Sequence, residues 1–245
     1  MLGAFGIMAG QRRLPLQTRI YCSFNTDLKD EVSGKEFTLT DINCPSVTTF
    51  ISTGKFGNGV HNYLYTYEWG SANTMYAMNI PKDIFDKSFT LQFWVKTPDI
   101  PVSNNSIDSN GSFSINVGDS PTGNFPLFGV RNLTTWQGSK SQSFDGCNLW
   151  SYSLYGDAIL DKDYFFVTIT REIDDIGSKI TLYINGQIIR YGYLQYAPYL
   201  GYLNNATYIN LYWAYYNPVK VEFIIDELLV TNTILDGTKV PTSPY

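Results

Sequence analysis

The segment running from Tyr164-Phe-Phe-Val-Thr-Ile-Thr-Arg171 to Ile180-Thr-Leu-Tyr-Ile-Asn-Gly-Gln187 constrains this chain more than any other. Side chains alternate between the two faces of a strand, so Phe165, Val167 and Ile169 form one inward row and Ile180, Leu182 and Ile184 another. Asn185-Gly186 between apolar runs fits a type I′ turn, whose two central residues both need positive φ. The same alternation recurs from Ser88 to Lys96. There Phe89, Leu91, Phe93 and Val95 share one face, and Thr90, Gln92, Trp94 and Lys96 the other. The first strand is expected over Arg19 to Phe24, followed by a polar turn from Asp27 to Gly34. Three glycines in Gly54-Lys-Phe-Gly-Asn-Gly-Val60 permit a tight corner before a strand at Tyr63 to Tyr67. No helix longer than a turn or two is expected, and a short turn near Lys82 to Asp86 is the best candidate.

Composition agrees with an all-β chain. Tyr (19) and Phe (15) are plentiful and charged residues make up only 16%, a mix that favours pleated, half-buried surfaces. With 245 residues and 44% hydrophobic content, one substantial core is expected. Three units follow: an apolar arm over residues 1–17, a main domain over 18–236 and a C-terminal tail over 237–245. Three segments break the strand rhythm and read as loop-plus-strand excursions: Pro98 to Asn124, Asn132 to Asp157 and Tyr191 to Asn205.

Quoted in order, Gly54-Lys-Phe-Gly-Asn-Gly59, Phe89-Thr-Leu-Gln-Phe-Trp-Val-Lys96, Thr181-Leu-Tyr-Ile-Asn-Gly186 and Ile225-Asp-Glu-Leu228 resemble the marker segments of laminin-G-like jelly rolls. These belong to the concanavalin A-like lectin and glucanase group. Asn232 to Leu235 is similar to the short tail after that family's closing strand. The resemblance spans about residues 19 to 236. It implies an antiparallel two-sheet jelly-roll sandwich, and a group that holds mostly binding modules. It also raises a calcium site at the rim, for which Asp174-Asp175 or Asp161 and Asp163 are the acids at hand, each equally readable as a solvated turn residue.

The formal net charge of −5, with Arg12-Arg13 as the sole basic pair that stands out, argues against a nucleic-acid partner. The apolar stretch at residues 1–10 is far shorter than the roughly 20 residues of a membrane span, and its arginines follow it, so neither a span nor an export signal is expected. Cys22, Cys44 and Cys147 form no CxxC pair and are expected as reduced, packed thiols, with a Cys22 to Cys44 bridge as the alternative. A single histidine, His61, is read as a surface residue and leaves no triad to assemble.

Glucanases of the same group place two carboxylates on one strand face, about 5 Å apart for retaining hydrolysis. Glu222 and Asp226 are four apart, but their spacing does not match that arrangement, and Glu227 is expected to point the other way, into solvent. An enzyme is therefore not expected. The positive signal is aromatic: Trp136, Trp150, Tyr152 and Tyr155 in one excursion, and Trp213, Tyr215 and Tyr216 in the bend Tyr212 to Pro218. Sugar rings stack on such side chains, and the same side chains also fill subunit interfaces. Trp136, Trp150, Tyr152, Trp213, Tyr215 and Tyr216 are the candidate ligand contacts. The function expected is a non-enzymatic carbohydrate-binding or adhesion module, set in a bacteriophage virion as a tail, baseplate or capsid component. Its partners there are a surface glycan and neighbouring subunits docked by the arm. A bacterial extracellular glycan-binding module is the rival, and a glycoside hydrolase the more distant one.

Overall fold

Period-two patterning and β-branched residues carry most of the chain into strands. The computed structural model describes residues 14–42, 48–64, 71–96, 109–123, 125–134, 140–146, 150–155, 164–194, 197–216 and 221–245. Its strands are β1 (Thr18–Cys22), β2 (Thr38–Ile42), β3 (Thr48–Thr53), β4 (Asn58–Leu64), β5 (Ser71–Asn79), β6 (Phe89–Lys96), β7 (Ser109–Gly118) and β8 (Phe125–Thr134). They continue as β9 (Lys140–Gly146), β10 (Trp150–Tyr155), β11 (Phe165–Ile173), β12 (Ser178–Ile184), β13 (Gln187–Leu194), β14 (Tyr208–Tyr216) and β15 (Val221–Thr231). One helix, α1 (Ala197–Asn204), lies between β13 and β14. The short turn expected near Lys82 to Asp86 is a run of turns and bends, and the helix lies elsewhere.

The strands form two antiparallel sheets in a jelly-roll sandwich. One has eight strands in the order β13-β12-β11-β6-β15-β4-β3, with β1 also pairing β15; the other runs β10-β9-β8-β7-β14-β5-β2. Leu228 to Thr231 of β15 pair with β1, and Val221 to Ile225 pair with β4. The two inward rows read from sequence meet in the core: Phe89, Leu91, Phe93 and Val95 pack with Phe165, Val167, Ile169, Ile180, Leu182 and Ile184. Asn185 (φ 50) and Gly186 (φ 79) close the β12–β13 hairpin as that pattern requires. A side chain at Gly186 would also collide with Thr238 O, 2.6 Å from its Cβ position.

At the end of the sandwich bearing α1, the buried Arg171 donates to Phe85 O, to Ser178 Oγ at 3.0 Å and to Asn204 Oδ1 at 3.3 Å. A single side chain thus ties the β5–β6 connection, β12 and the helix together. Cys22 is a buried free thiol in β1, its pKa pushed up by burial and by nearby acidic residues. Cys44 and Cys147 lie outside the described residues, as do residues 1–13 of the arm. Leu16 and Gln17, at the arm's inner end, are anchored: Leu16 O accepts from the hydroxyls of Thr231 and Thr233, and Gln17 O from Asn232 N.

Residues 237–245, set apart as a tail by sequence, lie across the outer face of the eight-stranded sheet. Leu235 N donates to Thr90 Oγ1 at 2.9 Å, Gly237 packs flat on the Tyr183 ring, and Tyr245 reaches the outward-facing Gln92 with its hydroxyl. This strap explains why β6 is buried on both faces, a pattern that alternation alone does not reveal.

Candidate functional site

The outer row of β6 is Thr90, Gln92, Trp94 and Lys96, and the antiparallel register sets Phe166 of β11 beside Trp94. Thr168 stands beside Gln92 and bonds it at 3.2 Å. On the other flank, Asp226 of β15 faces Trp94. The β15–β6 register shifts between Asp226 and Leu229, and Glu227 takes φ 54 at this bulge. An extra residue there turns Glu227 onto the same outer side as Asp226, whereas strict alternation would have opposed them.

Glu227 is therefore not solvated, as sequence implied. It is fully buried, and its Oε2 accepts from Tyr21 OH at 2.7 Å and from Tyr245 N at 3.4 Å. Burial, with the charge of Glu227 beside it, holds the Tyr245 phenol well above its ordinary pKa. Asp226 is buried too, and its Oδ2 accepts from Phe56 N at 3.0 Å. Gly54 must lack a side chain here, since a Cβ would meet that oxygen at 2.5 Å. Both carboxylates are built into the wall, and the side chain of Glu222 lies outside the described residues. His61, read as a surface residue, is buried in β4 beside Ile224.

The glycine corner folds over Trp94. Phe56 meets it edge-on with ring centroids 5.7 Å apart, and the Lys55 ammonium sits 4.9 Å from its ring centroid. Trp94 is 4% exposed, and its Nε1 has no hydrogen-bond partner. Two residues along the same row, Lys96 Nζ lies 5.6 Å from the ring of Tyr164. The ion pairs given for the described residues, Arg19–Asp83 and Lys87–Asp83, engage neither Lys55 nor Lys96. An exposed cation–π contact contributes about 0.5–1 kcal/mol. A buried donor left unmade costs about 1–3 kcal/mol. Trp94 Nε1 is thus a buried donor whose hydrogen bond the described residues leave unmade.

Of the six side chains named from sequence, that of Trp213 lies among the described residues. Trp213 is 2% exposed and belongs to the core, with its ring 5.2 Å from Phe113 and 6.3 Å from Tyr76. This corrects the expected ligand contact. Tyr212 to Tyr216 is not a bend but the end of β14, and alternation there puts Ile209, Leu211 and Trp213 on the inward row. Tyr215 and Tyr216 occupy the last positions of that strand; their side chains, and those of Trp150 and Tyr152 in β10, lie outside the described residues. Trp136 does so entirely. β10 is the sheet's edge strand, four strands from β14, so at about 4.8 Å per strand the two strand backbones are about 19 Å apart. The patch around Trp94 was missed, although its signal was legible: Trp94-Val95-Lys96 places an indole and an ammonium on one face.

For calcium, Asp174 Oδ1 accepts from the backbone N–H groups of Ile176 and Gly177, bonds that lower its pKa. It acts as a turn cap. Asp161 and Asp163 lie outside the described residues. Among the described residues, no cluster of three or more His, Cys, Asp or Glu side chains could hold a metal. No described helix is long and apolar enough to cross a membrane.

No protein-family model matches the chain, and no curated protein does. Solved structures do match. The binding domain of botulinum neurotoxin DC in complex with rat synaptotagmin II is 16% identical over 90% of this chain and 49% of that one, with a TM-score of 0.53. A second concerns botulinum neurotoxin type C, whose cell entry depends upon interaction with two ganglioside molecules; it is 16% identical over 90% and 49%, with a TM-score of 0.52. A third, the binding domain of botulinum neurotoxin DC in complex with SialylT, is 17% identical over 90% and 49%, with a TM-score of 0.51. The chain therefore spans about half the length of the chains it matches. At these identities the likeness establishes the fold, a jelly-roll sandwich shared with those binding domains, and leaves the ligand to be argued from the residues.

Proposed function

We propose that this chain is a non-enzymatic binding module that recognises a surface saccharide through the patch formed by Lys55, Trp94, Lys96 and Tyr164. The observation that carries this reading is a pair of ammonium groups held on aromatic rings, Lys55 on Trp94 and Lys96 on Tyr164, with no carboxylate partner among the described residues, beside a Trp94 indole N–H that has no acceptor among them. Aromatic bodies with polar groups at their edges suit sugar rings. The engagement of Asp226 by Phe56 N and of Glu227 by Tyr21 favours structural over catalytic roles for these acids. Within the sandwich class we read the chain as laminin-G-like, on the marker segments quoted above. A glycan array with the wild type and Tyr164→Ala tests the function, because Tyr164 is half-buried at the margin of the patch. Saccharide-selective signals that fall in the variant are expected. Equal signals across all saccharides would reject the reading.

The setting we propose is a bacteriophage virion, with residues 1–17 as an arm to neighbouring subunits. The anchoring of Leu16 and Gln17 beside Thr231 to Thr233 supports this, since it gives the arm a fixed point of departure. Deleting residues 1–13 keeps that anchor, and should abolish incorporation while sparing the fold; normal incorporation would reject the arm. A secreted or cell-surface glycan-binding module is the second reading, favoured by the likeness to toxin binding domains. Neighbouring genes separate the two: capsid, portal or tail-tube genes on either side support the virion, and their absence the other.

A further inference from the structure

We propose that the saccharide taken by this patch is acidic, a carboxylate- or sulfate-bearing sugar whose anionic group is held by Lys55 and Lys96. This rests on the saccharide-binding reading and adds the charge of the ligand. The charged groups the patch offers are both cationic, the ammonium of Lys55 over Trp94 and the ammonium of Lys96 over Tyr164, and they stand by the buried indole N–H of Trp94. The acceptor nearest in the register, Asp226, is turned under the glycine corner and engaged by Phe56 N. A neutral sugar carries no charge and would leave the two ammonium groups without a counter-ion. An acidic group is acceptor-only, and its hydrogen bonds to ammonium groups are roughly twice as strong as neutral ones.

Placement favours the same ligand. Trp94 and Lys96 are two residues apart on one strand face, a separation of about 7 Å along the backbone, so the two ring-held ammonium groups belong to the same outer face. Each is pinned by a ring instead of swinging freely, and a compact ammonium needs no bidentate geometry to hold a carboxylate. The net charge of −5 gives an acidic ligand no long-range attraction. Recognition therefore depends on these two charges at short range, and its salt dependence is that of two contacts and not of a broad basic surface.

The test is calorimetric titration with matched pairs, a sialylated oligosaccharide and its desialylated form, and a glucuronate-terminated oligosaccharide and its glucose-terminated form. Lys55→Met and Lys96→Met, singly and together, retain the apolar stems that cover Trp94 and Tyr164 and remove the charges. The acidic member of at least one pair should bind about tenfold or more tighter than its neutral partner. The double variant should erase that difference while keeping a cooperative thermal transition, its Tm lowered by a few degrees at most for the two lost cation–π contacts. Equal affinity within every binding pair, with both lysine variants silent, would overturn the acidic ligand and leave the saccharide reading standing. If no saccharide binds while polyglutamate does, the site belongs to an acidic peptide, and both readings fall.

Discussion

The two halves of the outer face of the eight-stranded sheet are built on the same strands and covered differently. In one half the strap lies over Thr90, Gln92, Thr168 and Glu227, and polar groups there are answered in pairs: Gln92 with Thr168 and Tyr245, Glu227 with Tyr21 and Tyr245 N. In the other half the glycine corner lies over Trp94, and among the described residues Lys55 and Lys96 have no carboxylate partner and Trp94 Nε1 no acceptor. A polar surface closed by the chain's own groups is structure; one that leaves two ammonium groups without a counter-ion among the described residues is a place for something else. Trp213 sharpens the contrast. Its Nε1 also lacks a partner, but its walls are Phe113, Tyr76 and the core, where no ligand enters.

The comparison breaks first at Trp213. Trp213→Ala removes a core side chain and should cost about 3–5 kcal/mol in chemical denaturation. A variant that kept full stability but lost glycan binding would move the ligand to the seven-stranded sheet. Next, Glu227→Ala strips the strap of its buried acceptor and should cost about 1–3 kcal/mol, since Tyr21 OH and Tyr245 N then need new partners. Near-neutral stability would mean that the strap is not held through this network. Gly186→Ala follows at about 1–2 kcal/mol, because the left-handed backbone and the contact with Thr238 O both oppose a side chain. Gly186→Asn, better suited to positive φ, should still suffer from the contact.

The smallest effect concerns pH. Hydrogen bonds from Arg19, at 2.7 and 3.1 Å, and then from Lys87 hold the Asp83 carboxyl down to about 2 from 3.8. A depressed carboxylate stabilises the fold above its unfolded pKa, and that contribution disappears as pH falls through the folded value. Thermal melts should therefore show an acid limb between about pH 4 and 2 that is shallower in Asp83→Asn. The change stays small, because the pair is partly solvent-exposed.

Much of the sandwich was legible from residues because its inner rows follow a strict period of two. Phe89 to Val95, Phe165 to Ile169 and the Asn185-Gly186 turn needed no tertiary information. Three failures share one cause, a non-local partner. Trp213 sits in an aromatic, Asn-flanked stretch that resembles a loop, yet pairing with β5 and β7 on both sides makes it central. Glu227 follows Asp226 by one residue and alternation opposes them, but the bulge against β6 brings both to the outer face. His61 reads as exposed beside a glycine corner until β3 and β15 close on both sides of its strand. The patch itself was half legible: Trp94 and Lys96 share a face by spacing, whereas Lys55 and Tyr164 arrive from the corner and from just before β11 through folding alone.

The most direct test of the account is the indole N–H resonance of each tryptophan during titration with a bound glycan, assigned by Trp→Phe substitution. The account predicts that the Trp94 Nε1–H signal moves as its donor gains an acceptor, while that of Trp213 stays in place. A shift at Trp213 with Trp94 unmoved would contradict it.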